Sequence, residues 1–388
     1  MLMPLAIQAQ EVTATLPIPA ATQKNGNLFH MASDSAKGKP VLLQPLYWVK
    51  TLIDSSAVAT VDRNYIEQPK PSWAIEARTT LNQTTLKVTS TWDDLEDGPT
   101  DLWMKSKNGL STSAGLWLGY RGYGFGYSKE FGKTSGSTLT FGAMGGSFGI
   151  NLRISSYNSD MPDVYVDGKK VSSYDGDDDH LDDPVKVRTL FLDGYYMFNG
   201  KHFSYAAAYD QSLIQRRSAG SFIAGLMYYH TSVAYDGDQN WPLLLLMNNV
   251  GKIKFTQASA GAGYAYNWVP ARGLLVSAQV MPMLTFYNRM YTYFYETVNQ
   301  KGQTVYEWFY DDAEDDDEPL VWHANEVEER KTSNRVNWNF DARLSVSYNW
   351  RSSYLRLYGH YNRFNYKNDE GDGRLSDWTV YASYGLRF

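Results

Sequence analysis

The chain has 388 residues, 15% of them aromatic, with 30 Tyr, 12 Trp and no Cys. Its mean hydropathy is −0.44, and no apolar run approaches the roughly 20 residues of a membrane helix, which excludes a helical membrane protein. A net charge of −6 without a basic stripe argues against a nucleic-acid partner. The lack of Cys is compatible with passage through an oxidising periplasm.

The first residues resemble the end of a secretory signal peptide. Leu2 and the stretch 5–7 are apolar, and small or polar residues follow them, although no basic region precedes them. We therefore expect a residual signal-peptide-like segment at 1–9 and a mature protein that starts near Gln10.

Residues 10–71 are predicted to form an N-terminal arm before the main domain. Positions 46–53 could form a short amphipathic helix, and Pro69 and Pro71 mark the entry into the next segment. The arm is either periplasmic or a plug inserted into a barrel lumen, and the sequence leaves both open.

The remainder, 72–388, is predicted to be an all-β transmembrane domain, an antiparallel up-and-down barrel of about 10 strands. Alternation and turn patterns define these strands. They are Trp73–Ser90, Ser113–Tyr127, Ser137–Tyr157, Val185–Phe198, Ser218–Asp236, Ile253–Trp268, Gly273–Tyr295, Asn334–Trp350, Tyr354–Tyr366 and Asp377–Phe388.

The clearest of these strands ends at Trp350. Its apolar face includes Trp338 and Leu344, and its other face carries Asp341 and Arg343. A soluble sandwich would not bury so many polar side chains, because burying a polar group without a partner is costly. The polar face must therefore contact water or other polar side chains, as the lumen face of a membrane barrel does.

The last strand is typical of the closing strand of an outer-membrane barrel. It alternates apolar and polar residues up to a C-terminal aromatic. Tyr384, Leu386 and Phe388 are the predicted membrane-insertion signal, which the barrel assembly machinery would recognise.

Connection lengths predict an even strand number, with both chain termini of the barrel in the periplasm. Short connections, at Lys129–Gly136, Val269–Arg272 and Arg351–Ser353, alternate with long ones that would face outward. Asn199–Arg217 is too long for a periplasmic turn. It is either a folded turn, which Arg216 and Arg217 would anchor to carboxylates, or a missed hairpin that would raise the count to 12.

Most of the 42 acidic residues fall in the predicted outer loops. Carboxylate clusters suit Ca²⁺ or Mg²⁺, although the first cluster departs from a calcium loop because His180 stands where that loop needs Gly. A solvated acidic surface is the alternative. The candidate cation ligands are Asp175, Asp177, Asp179, Asp315, Asp316 and Asp317.

Charged residues at inferred lumen positions form a candidate network. Opposite charges in a narrow barrel would pair, because an unpaired buried charge is costly, whereas a ring of them could line a pore. About 10 strands leave a lumen that side chains can fill, which favours a closed barrel. The predicted network residues are Glu76, Arg78, Arg153, Asp341, Arg343 and Arg387.

No catalytic motif accompanies the six His residues. His230 is the best candidate for an outer-membrane hydrolase and His360 is the second, but a strand His bonded to a neighbour explains each. The glycines of the run Gly122–Gly126 alternate with aromatic residues, which favours close packing of an aromatic or a lumen segment over a phosphate loop.

Several segments resemble a family of outer-membrane proteins of the Bacteroidota that is known only as a domain of unknown function. The resemblance covers about Asp62 to Phe388, implies a Gram-negative outer membrane and a barrel, and implies no catalytic residue. The segments are 61–67, 118–127, 186–190, 215–222 and 262–267, with Asp62, Tyr65, Arg217, Ser218, Gly220, Tyr264, Tyr266 and Asn267 as family hallmarks.

The predicted function is that of a monomeric outer-membrane barrel with acidic surface loops and a non-catalytic structural, adhesion or accessory role. A narrow transport pore is the alternative, and an outer-membrane hydrolase is the second alternative. Expected partners are outer-membrane lipid, lipopolysaccharide, the barrel assembly machinery and another outer-membrane protein. No cofactor is expected beyond the loop cations.

Overall fold

The structure describes most of the chain from residue 61 onward. This computed structural model covers 61–94, 98–107, 111–131, 135–159, 163–166, 169–170, 185–235, 244, 249–304, 307, 321–333, 336–367 and 371–388. The signal-like segment, the possible helix at 46–53, most of the predicted arm and all six candidate cation ligands lie outside these residues.

Strands account for most of the described residues. A five-residue helix, α1 (Tyr205–Tyr209), lies between the tenth and eleventh strands. No helix in the described ranges is long and apolar enough to cross a bilayer. The strands are β1 (Ile66–Glu67), β2 (Trp73–Asp94), β3 (Gly98–Lys107), β4 (Ser111–Tyr120), β5 (Tyr123–Phe131), β6 (Gly136–Met144), β7 (Phe148–Ser159), β8 (Asp163–Val166), β9 (Lys169–Lys170), β10 (Val185–Met197), β11 (Ile214–Gln215), β12 (Ala219–Tyr235), β13 (Val250–Ala271), β14 (Leu274–Asn299), β15 (Trp322–Ser333), β16 (Asn337–Trp350), β17 (Ser353–Lys367) and β18 (Gly371–Arg387).

Twelve strands close into an antiparallel barrel, because β18 pairs with β2. Their order around the barrel is β2–β4–β5–β6–β7–β10–β12–β13–β14–β16–β17–β18. The predicted all-β antiparallel barrel is confirmed, with the higher of the two strand numbers considered.

The two extra strands come from hairpins that the alternation pattern concealed. Predicted strand Ser113–Tyr127 is the hairpin of β4 and β5, and its turn residues Arg121 and Gly122 have φ values of 48° and 90°. Two positive φ angles are typical of a tight hairpin turn, which interrupts the period-2 pattern only briefly. Predicted strand Ser137–Tyr157 is likewise the hairpin of β6 and β7.

The barrel has a turn end and a loop end. The turn end carries the tight turns, including Arg121–Gly122, and the first and last barrel residues, since the Trp73 and Phe388 backbones exchange hydrogen bonds of 3.2 and 3.0 Å. The prediction that Lys129–Gly136 belongs with the short turns was wrong. It joins β5 to β6 at the loop end, because the concealed hairpin of β4 and β5 shifts the alternation of ends.

The outward face is apolar and the inward face is polar along β16. Trp338 and Leu344 are 67% and 55% exposed, whereas Asp341 and Ser345 are buried. This is the reverse of a soluble strand. A closed barrel leaves no unpaired strand edge, and an exposed apolar face requires lipid, so the chain is an outer-membrane barrel.

Three barrel strands are much longer than the roughly 9–11 residues that span a bilayer. β14 has 26 residues, and β2 and β13 have 22 each. β15 pairs with the loop-end part of β14, and β3 pairs with the loop-end part of β2. The sheet therefore continues beyond the membrane at the loop end.

Candidate functional site

The connection from β10 to β12 folds back into the barrel and fills the lumen at the turn end. We call residues 198–218 the plug. Its helix α1 is buried from Tyr205 to Tyr209, and Ser204 caps the helix by accepting a hydrogen bond of 3.0 Å from the Ala207 backbone N–H. Of the two possibilities that the sequence left for this connection, the folded turn is correct.

Lumen side chains donate hydrogen bonds to the backbone carbonyls of the plug. Ser345 Oγ donates to the Ala208 carbonyl at 2.7 Å, and Arg356 donates to the Tyr209 carbonyl. The last carbonyls of a helix have no partner within it, so these contacts satisfy groups that would otherwise be buried unpaired. The barrel wall thus recognises the plug through its main chain.

Arg387 and Asn349 extend this contact past the helix. Arg387 Nη2 donates to the Gln211 carbonyl at 2.8 Å and to Asn349 Oδ1 at 2.6 Å. Asn349 Nδ2 in turn donates to the Gln211 side chain at 3.0 Å. The predicted network residue Arg387 therefore holds the plug, and no carboxylate of the described residues lies at hydrogen-bond distance from it.

Arg343 is the centre of a buried charge cluster. Its Nη2 lies 2.9 Å from Asp193 Oδ2, and its Nε lies 3.2 Å from Asp341 Oδ1. Nη1 donates to the Tyr205 hydroxyl at 2.7 Å, and Nη2 also donates to the Tyr195 hydroxyl. Since Tyr205 belongs to the plug, this cluster joins the plug to the barrel wall.

A second cluster surrounds Glu76, whose side chain is fully buried. Arg78 pairs with Glu76, and Arg356 Nη2 lies 3.0 Å from Glu76 Oε2. The Arg78 guanidinium also lies over the Trp117 ring, 4.2 Å from its centre. Trp117 in turn packs against glycines, because a Cβ at Gly124 would come within 2.8 Å of it. The predicted close packing of an aromatic on these glycines is confirmed.

Arg153 belongs to a third cluster, on the side of β18. Its Nη2 lies 3.3 Å from Asp377 Oδ2. Asn82 Nδ2 and Thr84 Oγ1 donate to the other Asp377 oxygen at 2.9 and 2.8 Å. His360, the second catalytic candidate, is buried beside this pair, with its Nε2 3.9 Å from Asp377 Oδ2.

Apolar side chains fill a further layer of the lumen. Tyr229 and Phe364 stack with ring centres 4.6 Å apart, and Phe191 contacts both rings edge-on at 6.3 Å. Met227 and Met281 are buried in the same core. The lumen is therefore packed like a protein interior at this level.

A cavity of about 90 Å³ remains in the lumen. A water needs roughly 10–15 Å³ of such space, so several waters fit. Its lining combines arginines with carboxylates and aromatic rings and includes Arg78, Trp117, Arg153, Asp193, Arg343 and Arg356.

The six predicted network residues thus divide among three clusters and the plug. Arg343 pairs with Asp341, Arg78 pairs with Glu76, Arg153 joins Asp377, and Arg387 holds the plug. Sequence reasoning missed three charged residues of these clusters. Each occupies an inward position of its strand: Asp193, Arg356 and Asp377. Strand parity could have found Arg356 and Asp377, since their strands alternate clearly between a polar and an apolar face.

The segment before the barrel docks on the plug, where β1 pairs with β11. The Asn64 backbone N–H donates to Asp62 Oδ1 at 2.9 Å and lowers the pKa of Asp62, and His202, 3.5 Å from the same carboxylate, lowers it further. Arg216 Nη2 lies 2.8 Å from Glu67 Oε2, which confirms the expected anchor to a carboxylate.

Family hallmark residues meet at the base of the plug. Asn267 Nδ2 donates to the Ser204 carbonyl at 2.9 Å and to Gln215 Oε1 at 3.1 Å. The Arg217 guanidinium lies 5.7 Å from the centre of the Tyr65 ring, so among the described residues Arg217 contacts an aromatic ring and pairs with no carboxylate. These contacts fix where the plug enters the barrel.

His230 does not face the lumen. It lies on the outward face of β12, which also carries Phe222 and Leu226, both more than 60% exposed. Its Nδ1 is 2.8 Å from Thr256 Oγ1 on the neighbouring strand. The described residues also contain no group of three or more His, Cys, Asp or Glu that could hold a metal ion.

Comparisons with solved structures found β-barrels of low similarity. The outer membrane protease OmpT of Escherichia coli is 9% identical, with 82% of this chain and 97% of that chain covered and a TM-score of 0.35. The toluene transporter TodX of Pseudomonas putida is 8% identical, with 82% of this chain and 90% of that chain covered and a TM-score of 0.27. The β domain of the Bordetella autotransporter BrkA is 13% identical, with 82% of this chain and 100% of that chain covered and a TM-score of 0.32.

A comparison with curated proteins found no match. A family model, in contrast, matches most of the chain, across the whole barrel and the docking segment before it. Residues 60–388 match the family described as Domain of unknown function (DUF4421), and the chain belongs to this family.

Proposed function

We propose that the protein is a closed outer-membrane barrel that anchors a non-catalytic structural, adhesion or accessory surface at its loop end. The observation that carries this proposal is the plug, which occupies the lumen and is hydrogen-bonded to the wall by Ser345, Arg356 and Arg387. A lumen shut by the chain itself leaves the loop end as the place where the protein meets a partner.

Two further observations support closure. Opposite charges pair within each of the two clusters, Arg343 with Asp193 and Asp341, and Arg356 with Glu76. The clusters therefore do not form a ring of one sign of charge. The aromatic layer of Phe191, Tyr229 and Phe364 adds packed apolar volume. An ion would have to displace both layers.

The narrow pore is the second candidate, and the cavity of about 90 Å³ favours it. A pore requires the plug to move, which would leave the buried Arg343 and Arg356 without their plug acceptors. Leaving a buried hydrogen-bond donor without its acceptor costs about 1–3 kcal/mol, and more when the donor is charged. A hydrolase at the predicted candidate is not supported, because His230 faces the lipid side.

Conductance in a planar bilayer tests closure. The purified full chain is expected to stay silent at high protein load, and a variant with 203–213 replaced by a Gly/Ser linker of equal length should conduct. Stable steps from the unaltered protein would refute closure. A linker variant that folds but stays silent would show that the plug is not what closes the lumen.

The loop end is proposed to face outward, and thiol labelling tests this orientation. The chain has no Cys, so Lys301→Cys at the loop end and Ser352→Cys at the turn end are unique probes, both at exposed positions. A membrane-impermeant maleimide should label intact cells only at position 301. Labelling of 352 alone would show the opposite orientation.

Assembly belongs to the same proposal. Tyr384, Leu386 and Phe388 lie on the outward face at the turn end and are 43%, 42% and 64% exposed. Outward aromatic and apolar residues at a strand end suit recognition by an assembly machinery and contact with lipid. Replacing Phe388 with Asp should lower the amount of folded barrel in the membrane, and an unchanged amount would remove this part of the proposal.

A further inference from the structure

Three tight turns at the turn end of the barrel begin with an arginine. They are Arg121–Gly122 between β4 and β5, Arg272–Gly273 between β13 and β14, and Arg351–Ser352 between β16 and β17. The last two turns are neighbours, because β14 pairs with β16 and the Asn349 N–H donates to the Gly273 carbonyl at 2.8 Å. We call Arg272 and Arg351 the turn pair.

Arg351 has a backbone conformation that arginine rarely adopts. Its φ angle is 49°, which lies in the left-handed region. Glycine takes this conformation freely, and asparagine takes it more readily than other residues with a side chain. Either residue would form the turn at a lower backbone cost. The geometry of the turn therefore does not explain an arginine at this position, and strained residues of this kind cluster where a ligand is held.

The two guanidinium groups of the turn pair are not used by the fold. Arg272 and Arg351 are both exposed, and within the part of the chain that the structure describes neither pairs with a carboxylate. Arg121 differs from them, since its Nε donates to Ser72 Oγ at 3.0 Å. The turn pair thus places two exposed cations on adjacent turns at the rim of the barrel.

Aromatic rings lie on the outward face next to the turn pair. Trp350, directly before Arg351, stacks on Tyr348 with ring centres 5.6 Å apart, and it lies 6.2 Å from the Tyr384 ring. Tyr348 and Tyr384 are 47% and 43% exposed. Trp268, four residues before the other arginine, is 53% exposed. Outward aromatic rings followed by cations are the order expected where a barrel leaves the hydrocarbon core and enters the headgroup layer.

We infer that the turn pair binds the phosphodiester headgroup of an anionic glycerophospholipid in the leaflet around the turn end. Guanidinium groups donate paired hydrogen bonds to phosphate oxygens, and basic residues beside a membrane segment attract anionic lipids. The acyl chains lie along Tyr348 and its neighbour Leu355, which is 51% exposed. A soluble phosphate would leave this apolar surface unused. The inference does not depend on the plug, and the orientation of the barrel decides only which leaflet supplies the lipid.

Native mass spectrometry of the full chain in a neutral detergent tests the inference. The probes are phosphatidylglycerol, diacylglycerol with the same acyl chains, and glycerol 3-phosphate. The unaltered protein should retain phosphatidylglycerol. Arg272→Gln combined with Arg351→Asn should weaken retention by about 25-fold, since each cation near a membrane surface contributes about a five-fold effect.

Lys301→Gln combined with Arg330→Gln is the matched control, because it removes the same charge at the loop end. Both residues are exposed, Arg330 on β15 and Lys301 just after β14, whose 26 residues separate it from the Arg272 turn. Charges are screened over about 10 Å in 0.1 M salt, so this control should change retention by less than about two-fold. A loss as large as that of the turn-pair variant would show a diffuse charge effect instead of a site.

A photoactivatable phosphatidylglycerol locates the bound lipid. Trypsin cleaves after Arg343 and Arg351 and releases the peptide Leu344–Arg351, which carries Tyr348 and Trp350. The crosslinked lipid is expected on this peptide of the unaltered protein. Crosslinks confined to peptides from the loop end would overturn the inference.

Three other results would also overturn it. They are equal retention by the turn-pair variant, equal retention of diacylglycerol, and displacement of phosphatidylglycerol by glycerol 3-phosphate at the same concentration, which would identify a soluble phosphate as the ligand. Folding is checked by the thermal midpoint in lipid-free detergent. Arg351→Asn should match or exceed the unaltered protein there, because Asn adopts a positive φ more readily. A lower midpoint would show that the arginine serves the turn itself and not a lipid.

Discussion

Arg343→Met should destabilise the barrel strongly. The Arg343 side chain is 4% exposed, and its carboxylate partners Asp193 and Asp341 are 3% and 0% exposed. Met keeps most of the apolar stem but removes the charge, so two carboxylates stay buried without their cation. Breaking a buried pair in this way costs about 3–5 kcal/mol.

The assay is equilibrium unfolding in urea, with the barrel refolded in detergent micelles and followed by tryptophan fluorescence. The free energy of unfolding should fall by about 3–5 kcal/mol for Arg343→Met. A triple variant that adds Asp193→Asn and Asp341→Asn should recover most of this loss, because no uncompensated charge remains. Replacing a buried ion cluster with neutral groups is often close to neutral.

Two results would refute this reasoning. A loss below about 1 kcal/mol for Arg343→Met would show that the carboxylates are solvated, as for an exposed pair. A triple variant no more stable than the single one would show that hydrogen bonds to Tyr195 and Tyr205, and not the charges, hold the cluster.

Two further predictions concern the packing of Trp117 and the segment before the barrel. Gly142→Ala should lower the free energy of unfolding by about 1–3 kcal/mol in the same assay, because its Cβ would lie 2.9 Å from the Trp117 ring. Gly359→Ala is the control and should be nearly neutral, because its Cβ would meet nothing closer than 3.8 Å. Equal effects of the two substitutions would contradict this packing. The Asp62 carboxyl should titrate below its ordinary pKa of 3.8, because the Asn64 N–H stabilises its charged form. The ionised Asp62 carboxylate therefore stabilises docking above its unfolded-state pKa, and this stabilisation is lost as the pH falls through the lower folded-state pKa. An NMR titration of the carboxyl group measures the folded-state pKa. A pKa at or above 3.8 would contradict the contact with Asn64.

The barrel could be predicted from the sequence because its two faces differ in polarity along strands such as β16. There the inward residues Asp341, Arg343 and Ser345 contact charges or plug carbonyls, and the outward residues contact lipid. The two faces of β10 do not differ in polarity in this way. Its inward Phe191 and Tyr195 are as apolar as its outward residues, because they pack in the core beside the plug, so the buried Asp193 was missed.

The plug could not be predicted, since its structure depends on distant contacts. Its helix is five residues of Tyr and Ala, too short to be stable alone. Hydrogen bonds from Ser345 and Arg387 hold it, and these residues are 137 and 176 positions away from their partners. No local pattern in the connection identifies these partners.

The most direct test of the plug is a disulfide between it and the barrel wall. Ala208→Cys with Ser345→Cys joins positions whose carbonyl and Oγ are 2.7 Å apart, and the chain has no other Cys. Mild oxidation of the folded protein should remove both free thiols, as counted by intact mass. Ala208→Cys with Leu344→Cys, which faces lipid, should keep both thiols. Free thiols in the first pair, or equal oxidation in both, would contradict a plugged lumen.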